Sequence, residues 1–321
     1  MTTSPPAPPS SGPPMADGPG FAARSDVGLV RSGNEDRFLA RPPLFAVADG
    51  MGGHQAGEVA SGLTVDLIEE TAARTAAPTA DDVVDAILRS NVAIRREAML
   101  RADLAGMGTT CTVVVIDAAV HVAHVGDSRA YLYREGALAQ LTEDHSLVAS
   151  MVREGIIDPA DAVTDRRRNI LTRALGAEDQ VRVDVVTADR APGDRILLCS
   201  DGLHGQVADA SIASVLREAA DPAGAADRLL GLANAAGGDD NVTVIVIDPD
   251  SIVAAGVPDN ADVLVETDRV AIVGPSPTVK AVPGLPRRPS AARVVVFVLL
   301  VLVIVALAIA SWLWFGSTAA A

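Results

Sequence analysis

Apolar residues in the central part of the chain recur with two different periods. Ala56, Val59, Ala60, Leu63 and Leu67 fall at helical spacing, as do Val84, Ile87, Leu88, Ile94 and Ala98. They predict two long amphipathic helices, over 54–73 and 81–101. Strand-like runs surround them at Leu44–Ala48, Thr109–Asp117, Val120–Gly126, Arg129–Arg134, Val181–Ala188, Arg195–Ser200 and Val242–Asp248. Short turns such as Asp117-Ala-Ala-Val120 and Arg134-Glu-Gly136 join consecutive runs, which predicts hairpins. Helices return near 209–236. Regular strand–helix alternation is absent, so a doubly wound parallel sheet is disfavoured. The pattern points to an α+β fold of antiparallel sheets covered by helices.

The two ends break this pattern. Residues 1–20 hold seven prolines and one charge, and are expected to be disordered. Residues 249–293 hold seven more prolines and read as a linker, within which Val263–Val273 is strand-like. From Val294 to Phe315 no charge occurs over 22 residues, roughly 33 Å as a helix at ~1.5 Å per residue, which matches a bilayer core. Arg287, Arg288 and Arg293 precede that run, and residues 316–321 are uncharged. The positive-inside rule therefore predicts a single-pass cell-membrane protein with its body in the cytoplasm. The expected domains are a disordered 1–20, a folded body over 21–248, a linker over 249–293, a transmembrane helix over 294–315 and an outer tail over 316–321.

Composition narrows the chemistry. The chain carries 41 acidic and 26 basic side chains, a net charge of −15, and so repels phosphate backbones; no nucleic-acid partner is expected. Cys111 and Cys199 each sit in an apolar run and read as buried thiols, which excludes a disulfide scaffold and a Cys-rich zinc site.

The informative acids stand at the ends of apolar runs, beside glycine or asparagine. They occur in Asn34-Glu35-Asp36, in Ala48-Asp49-Gly50-Met-Gly-Gly-His54, in Val125-Gly-Asp127-Ser-Arg129, in Ser200-Asp201-Gly202 and in Gly238-Asp239-Asp240-Asn241. One Asp-Gly pair is an ordinary turn. Several at strand ends can aim carboxylates at one point, while glycines let carbonyl oxygens approach a cation. Oxygen-only donors suit Mg²⁺ or Mn²⁺.

Eight motifs in order over 25–248 resemble the bacterial type 2C metal-dependent protein serine/threonine phosphatases. Besides those above they include Ser25-Asp-Val-Gly-Leu-Val-Arg31, Gly108-Thr-Thr110, Leu141-Thr-Glu-Asp-His-Ser146, Leu171-Thr-Arg-Ala-Leu-Gly176 and Asp240-Asn-Val-Thr243. The resemblance implies a four-layer α-β-β-α sandwich of two antiparallel sheets flanked by helices. It also implies two Mn²⁺ or Mg²⁺ ions. Asp49 would bridge them, the Gly50 carbonyl would complete one shell, Asp201 and Asp240 would hold one ion, and Asp36 would orient a ligand water. Glu35 is a weaker candidate further out. Two such ions lower the pKa of a shared water, which attacks phosphorus in line. Arg31 matches the family's phosphate-binding arginine, whose planar fork suits two phosphate oxygens.

Departures from the family pattern leave two roles open. Animal members carry a histidine after the Asp-Gly pair, where this chain has Met51; His54, three residues on, either donates a proton or caps the following helix, and a metal ligand water is an equal donor. Asp127 and Asp201 match two ligands of a third ion, but the acid expected four residues after Asp201 is Gly205, which implies a weak third site. Residues 144–168 correspond to the family's mobile flap; Arg166, Arg167 and Arg168 there either attract phosphopeptides or form a solvated charge run. The resemblance further implies phosphoprotein substrates, opposition to membrane Ser/Thr kinases and a monomeric catalytic domain. A catalytically dead binding module is disfavoured by the intact Asp36, Asp49, Asp201 and Asp240. A nucleotide-directed phosphohydrolase is disfavoured by the acidic body.

Overall fold

A computed structural model describes residues 15–52, 56–75 and 77–256. Its strands in chain order are β1 (Met15–Gly18), β2 (Phe21–Asp26), β3 (Asp36–Arg41), β4 (Leu44–Met51), β5 (Gly108–Thr109) and β6 (Cys111–Ile116). They continue as β7 (Ala119–Val125), β8 (Arg129–Arg134), β9 (Ala137–Gln140), β10 (Asp184–Asp189), β11 (Arg195–Cys199) and β12 (Val242–Ile247). The helices are α1 (Ala56–Arg74), α2 (Ala80–Leu100), α3 (Leu147–Arg153), α4 (Pro159–Ala162), α5 (Asp201–His204), α6 (Asp209–Glu218), α7 (Pro222–Ala235) and α8 (Pro249–Ala254).

One sheet has the order β1-β2-β12-β11-β8-β9 and the other β10-β7-β6-β4-β3, with β5 added to β4. Every pairing is antiparallel. The central strands read as unbroken apolar runs because both of their faces are buried. On β6, Val113 and Val115 face a core shared with Ile68 of α1 and Ile87 and Ile94 of α2, whereas Val114 and Ile116 face the other sheet. On β12, Ile245 and Ile247 join that inter-sheet core, and Val244 and Val246 pack with Ile212 and Leu216 of α6 and Leu229 of α7. Alternation at period two thus builds three cores between four layers. The helix starts are encoded locally. Thr79 and Asp82 form a reciprocal capping box at α2, and Asp221 caps α7 ahead of Pro222.

The expected α-β-β-α sandwich is the observed one, with differences in detail. Strand β1 lies inside the segment 1–20 that was expected to be disordered; it pairs with β2 from Met15↔Arg24 to Gly18↔Phe21. Helix α8 carries ordered structure past 248, into the expected linker, with Ile252 fully buried in the inter-sheet core. Strand β10 begins at Asp184 rather than Val181. The segment 144–168 carries two short helices, α3 and α4. Among the described residues no helix is long and apolar enough to cross a membrane. The strand-like 263–273, the apolar run 294–315 and the tail 316–321 lie outside the described residues, as does His54.

Candidate active site

The acidic residues gather where central strands of the two sheets end. Asp36 opens β3 and is register-paired with Asp49 near the end of β4. Asp201 opens α5, separated from the end of β11 by Ser200, and Asp240 precedes β12, strands that pair from Cys199↔Val244 onward. Asp127 lies in the link from β7 of one sheet to β8 of the other.

Asp36 is 2% exposed. Its Oδ2 accepts hydrogen bonds from Ser200 Oγ at 2.8 Å and Thr243 Oγ1 at 2.7 Å. Both donors belong to the opposite sheet's strand ends, so this carboxylate ties the sheets together. Its Oδ1 is buried with no hydrogen-bond partner among the described residues. A buried acceptor left open in this way costs stability unless something fills the place. Burial pushes the Asp36 acid up to about 7 against the two hydroxyls, and the Asp201 and Asp240 charges push the same way. Asp49 is raised well above the ordinary carboxylate range by burial and then by Asp36, Asp201, Asp127 and Asp240. Burial and Asp240 raise Asp201 to about 6, and burial followed by Asp201 and Asp144 raises Asp127 to about 8. These carboxylates are held close enough to oppose one another's ionisation.

The donor set therefore fits hard divalent cations: all oxygen, buried, mutually repelling, with one acceptor open. Among the described residues no three such side chains already converge on one point. Asp240 is instead engaged by Arg31, whose NH2 lies 2.7 Å from Asp240 Oδ2 with the guanidinium about half exposed. Gly50 sits in a tight seat: a Cβ there would lie 2.2 Å from the Gly57 carbonyl oxygen and 2.6 Å from that of Glu35. The Gly50 N–H donates to the Glu35 carbonyl at 3.2 Å.

Several residues given no individual role from sequence build the frame. Asn241 accepts from the Glu35 N–H through Oδ1 at 2.8 Å, and its amide donates to the carbonyls of Val27 and Gly33. Thr110 Oγ1 accepts from the Asp49 N–H at 2.9 Å. His204 Nε2 lies 2.9 Å from the Asp127 carbonyl and donates to it; burial, then Arg129, lowers this histidine to about 4 and keeps it neutral. Arg129 grips Asp144 with two bonds of 2.8 and 2.6 Å. A side chain that fixes a neighbour in this way leaves little sequence signal beyond its polarity inside an apolar run. Beside the acids opens a cavity of about 850 Å³ that reaches from Arg31, Asp127, Asp201 and Asp240 to the segment 144–169.

Residues 31–242 match the family model described as protein phosphatase 2C. The chain belongs to that family. It is 40% identical over 238 residues to the serine/threonine phosphatase stp of Listeria monocytogenes, a match covering 71% of this chain and 94% of that protein. It is 42% identical over 230 residues to the serine/threonine protein phosphatase PstP of Mycobacterium tuberculosis, covering 71% of this chain and 44% of that longer protein. The crystal structure of the M. tuberculosis phosphatase superposes with a TM-score of 0.67 at 42% identity, over 71% of this chain and 97% of that one. The PstP catalytic domain in complex with two manganese ions gives 0.66 at 41%, over 71% and 96%. The protein is thus a type 2C serine/threonine phosphatase. The structure of this phosphatase brings Asp36, Asp49, Gly50, Asp127, Asp201, Asp240 and Arg31 to one end of the sandwich.

Proposed function

We propose that this phosphatase hydrolyses phosphoserine and phosphothreonine on cytoplasmic proteins with two Mn²⁺ or Mg²⁺ ions held by Asp49, the Gly50 carbonyl, Asp201 and Asp240. The observation that carries the reading is the buried carboxylate group whose members raise one another's pKa while Asp36 Oδ1 stays open. When bound, such ions acidify a water into a nucleophile and neutralise phosphoryl oxygens. Asp36, pinned through Oδ2 by Ser200 and Thr243, presents Oδ1 as a fixed acceptor for a water proton. Arg31, half exposed at the cavity, exchanges Asp240 for two oxygens of the incoming phosphate. Asp127 contributes to a third, weaker ion position with Asp201.

The anchoring reading rests on sequence alone: the uncharged run 294–315, preceded by three arginines, supports a membrane-held enzyme with a cytoplasmic catalytic body that opposes membrane Ser/Thr kinases. The catalytic reading is tested by assaying the metal-stripped full chain on a phosphothreonine peptide. Activity returning with Mn²⁺ and vanishing with EDTA is expected; full activity without a divalent ion contradicts it. Fractionation tests the anchor: detergent-dependent release supports it, and recovery in the soluble fraction overturns it.

A further inference from the structure

The cavity beside the carboxylates is far larger than a phosphate needs, and its outer wall has a definite chemistry. The wall comes from α3, α4 and the residues around them, and presents Val148, Ala149, Val152, Pro159, Ala162 and Val163. Val163 is 67% exposed and Val152 is half-buried, so the surface is apolar yet open to solvent. Three arginines line this part of the cavity, Arg129, Arg153 and Arg168. Arg129 is paired with Asp144, and Arg153 with Glu143. The cavity runs without a break from this apolar wall to Arg31, Asp201 and Asp240. A polypeptide whose phosphate reaches Arg31 must therefore lay the neighbouring side chains along it.

We propose that this wall is a specificity subsite that takes an apolar side chain flanking the phosphorylated serine or threonine. The inference rests on the phosphatase reading above and names a substrate preference that reading does not supply. An apolar flanking side chain gains by leaving water against six apolar residues. An aspartate there loses hydration against the apolar side chains and lies near Asp127, Asp201, Asp239 and Asp240, against which Arg168 is the one further cation that this segment adds to the lining. A volume of about 850 Å³ accommodates more than one side chain, within the range of roughly 300–1,000 Å³ usual for binding clefts. The occupant is substrate rather than another part of the protein because the cleft opens onto the site where the phosphate must sit.

The test uses the full chain with Mn²⁺ and a set of phosphothreonine peptides that differ only in the residues directly flanking the phosphothreonine: leucine, valine, aspartate or lysine. A small aryl phosphate serves as a substrate that does not reach the wall. The expected result is a kcat/KM at least about tenfold higher for the leucine and valine peptides than for the aspartate peptide, as fits one partly buried apolar side chain. In Val163→Asp and Val152→Asp variants that ratio should collapse toward one. Because the ratio is taken within each variant, the fraction of folded protein cancels. Equal efficiency on all peptides, with the aryl phosphate still hydrolysed, overturns the subsite and leaves the phosphatase reading intact. Loss of the aryl phosphate activity as well overturns both. Equal efficiency together with turnover per molecule that falls as protein concentration rises would place a second copy of the chain in the cleft, and also overturns the proposal.

Discussion

The strand ends and the 144–171 segment face each other across one cavity but are held in opposite ways. At the strand ends the acids sit in a hydrogen-bonded frame: the Asp36 carboxylate is held by Ser200 and Thr243 of the opposite sheet, the Asp49 N–H by Thr110, and the Glu35 N–H, just before Asp36, by Asn241. The 144–171 segment is secured mainly at its two roots. There His145 donates its N–H to the Gly126 carbonyl at 2.8 Å, its Nδ1 accepts the Gly126 N–H at 3.0 Å, and the Thr172 N–H reaches the His145 carbonyl at 2.8 Å. Between the roots Ile156, Val163 and Ile170 are 60%, 67% and 50% exposed. The rigid side holds the acids, and the loosely held side meets the polypeptide. Reaction chemistry tolerates little displacement, whereas recognition of varied proteins tolerates a wall that adjusts.

The sharpest way to break this contrast is Asp49→Asn. The substitution removes a charge at the centre of the rigid side, and kcat on a phosphopeptide should fall at least on the order of 10²–10³-fold, with Mn²⁺ affinity falling too by calorimetry. Thr243→Val probes the frame without touching a charge. It removes the hydroxyl that donates to Asp36 and pairs with Ser25 Oγ at 2.8 Å. A loss of about 1–3 kcal/mol in urea unfolding and a roughly tenfold drop in kcat, with KM little changed, is expected. His145→Ala should act on the other side. It leaves the buried Gly126 N–H without its acceptor, so KM for a phosphoprotein should rise several-fold while kcat on a small aryl phosphate changes less. An equal loss on both substrates would erase the distinction between the two regions.

Much of this arrangement was legible in the chain. Strands β6, β7, β11 and β12 announce themselves as apolar runs because both faces are covered, and the acids at their ends stand out against that background. Strand β2 did not, since it reads Phe-Ala-Ala-Arg-Ser-Asp. Its Arg24 is only 5% exposed and survives burial through Asp17 and Asp227, the latter 203 residues away. Strand β1 was hidden among prolines, because its partner is what makes it a strand. The roles of Ser200 and Thr243 were equally invisible. They meet Asp36 across separations of 164 and 207 residues, and that meeting depends on which strand ends the two sheets bring together. Local pattern encodes an element's type; the partners of a buried polar group are set by topology.

The central claim is that the buried carboxylates form a divalent-cation site, and its most direct test is thermal unfolding of the metal-free full chain from pH 6.5 to 8.5, with and without Mn²⁺. The folded-state pKa values of Asp36 and Asp127, about 7 and about 8, lie above the roughly 3.9 of an unfolded aspartate. Folding therefore favours their protonated forms, and that stability is present at low pH and lost as pH rises through 7 and 8. Buried His124 and His204, lowered by burial to about 3 and about 4, have the opposite sign, but their contribution falls away only below about pH 6.5, the unfolded histidine value. The window is thus governed by the acids. Without metal, Tm should fall from pH 6.5 to 8.5; with Mn²⁺ it should rise, and by more at pH 8.5 than at 6.5, because the ion binds the ionised carboxylates. A Tm that is flat with pH and indifferent to Mn²⁺ would contradict the account.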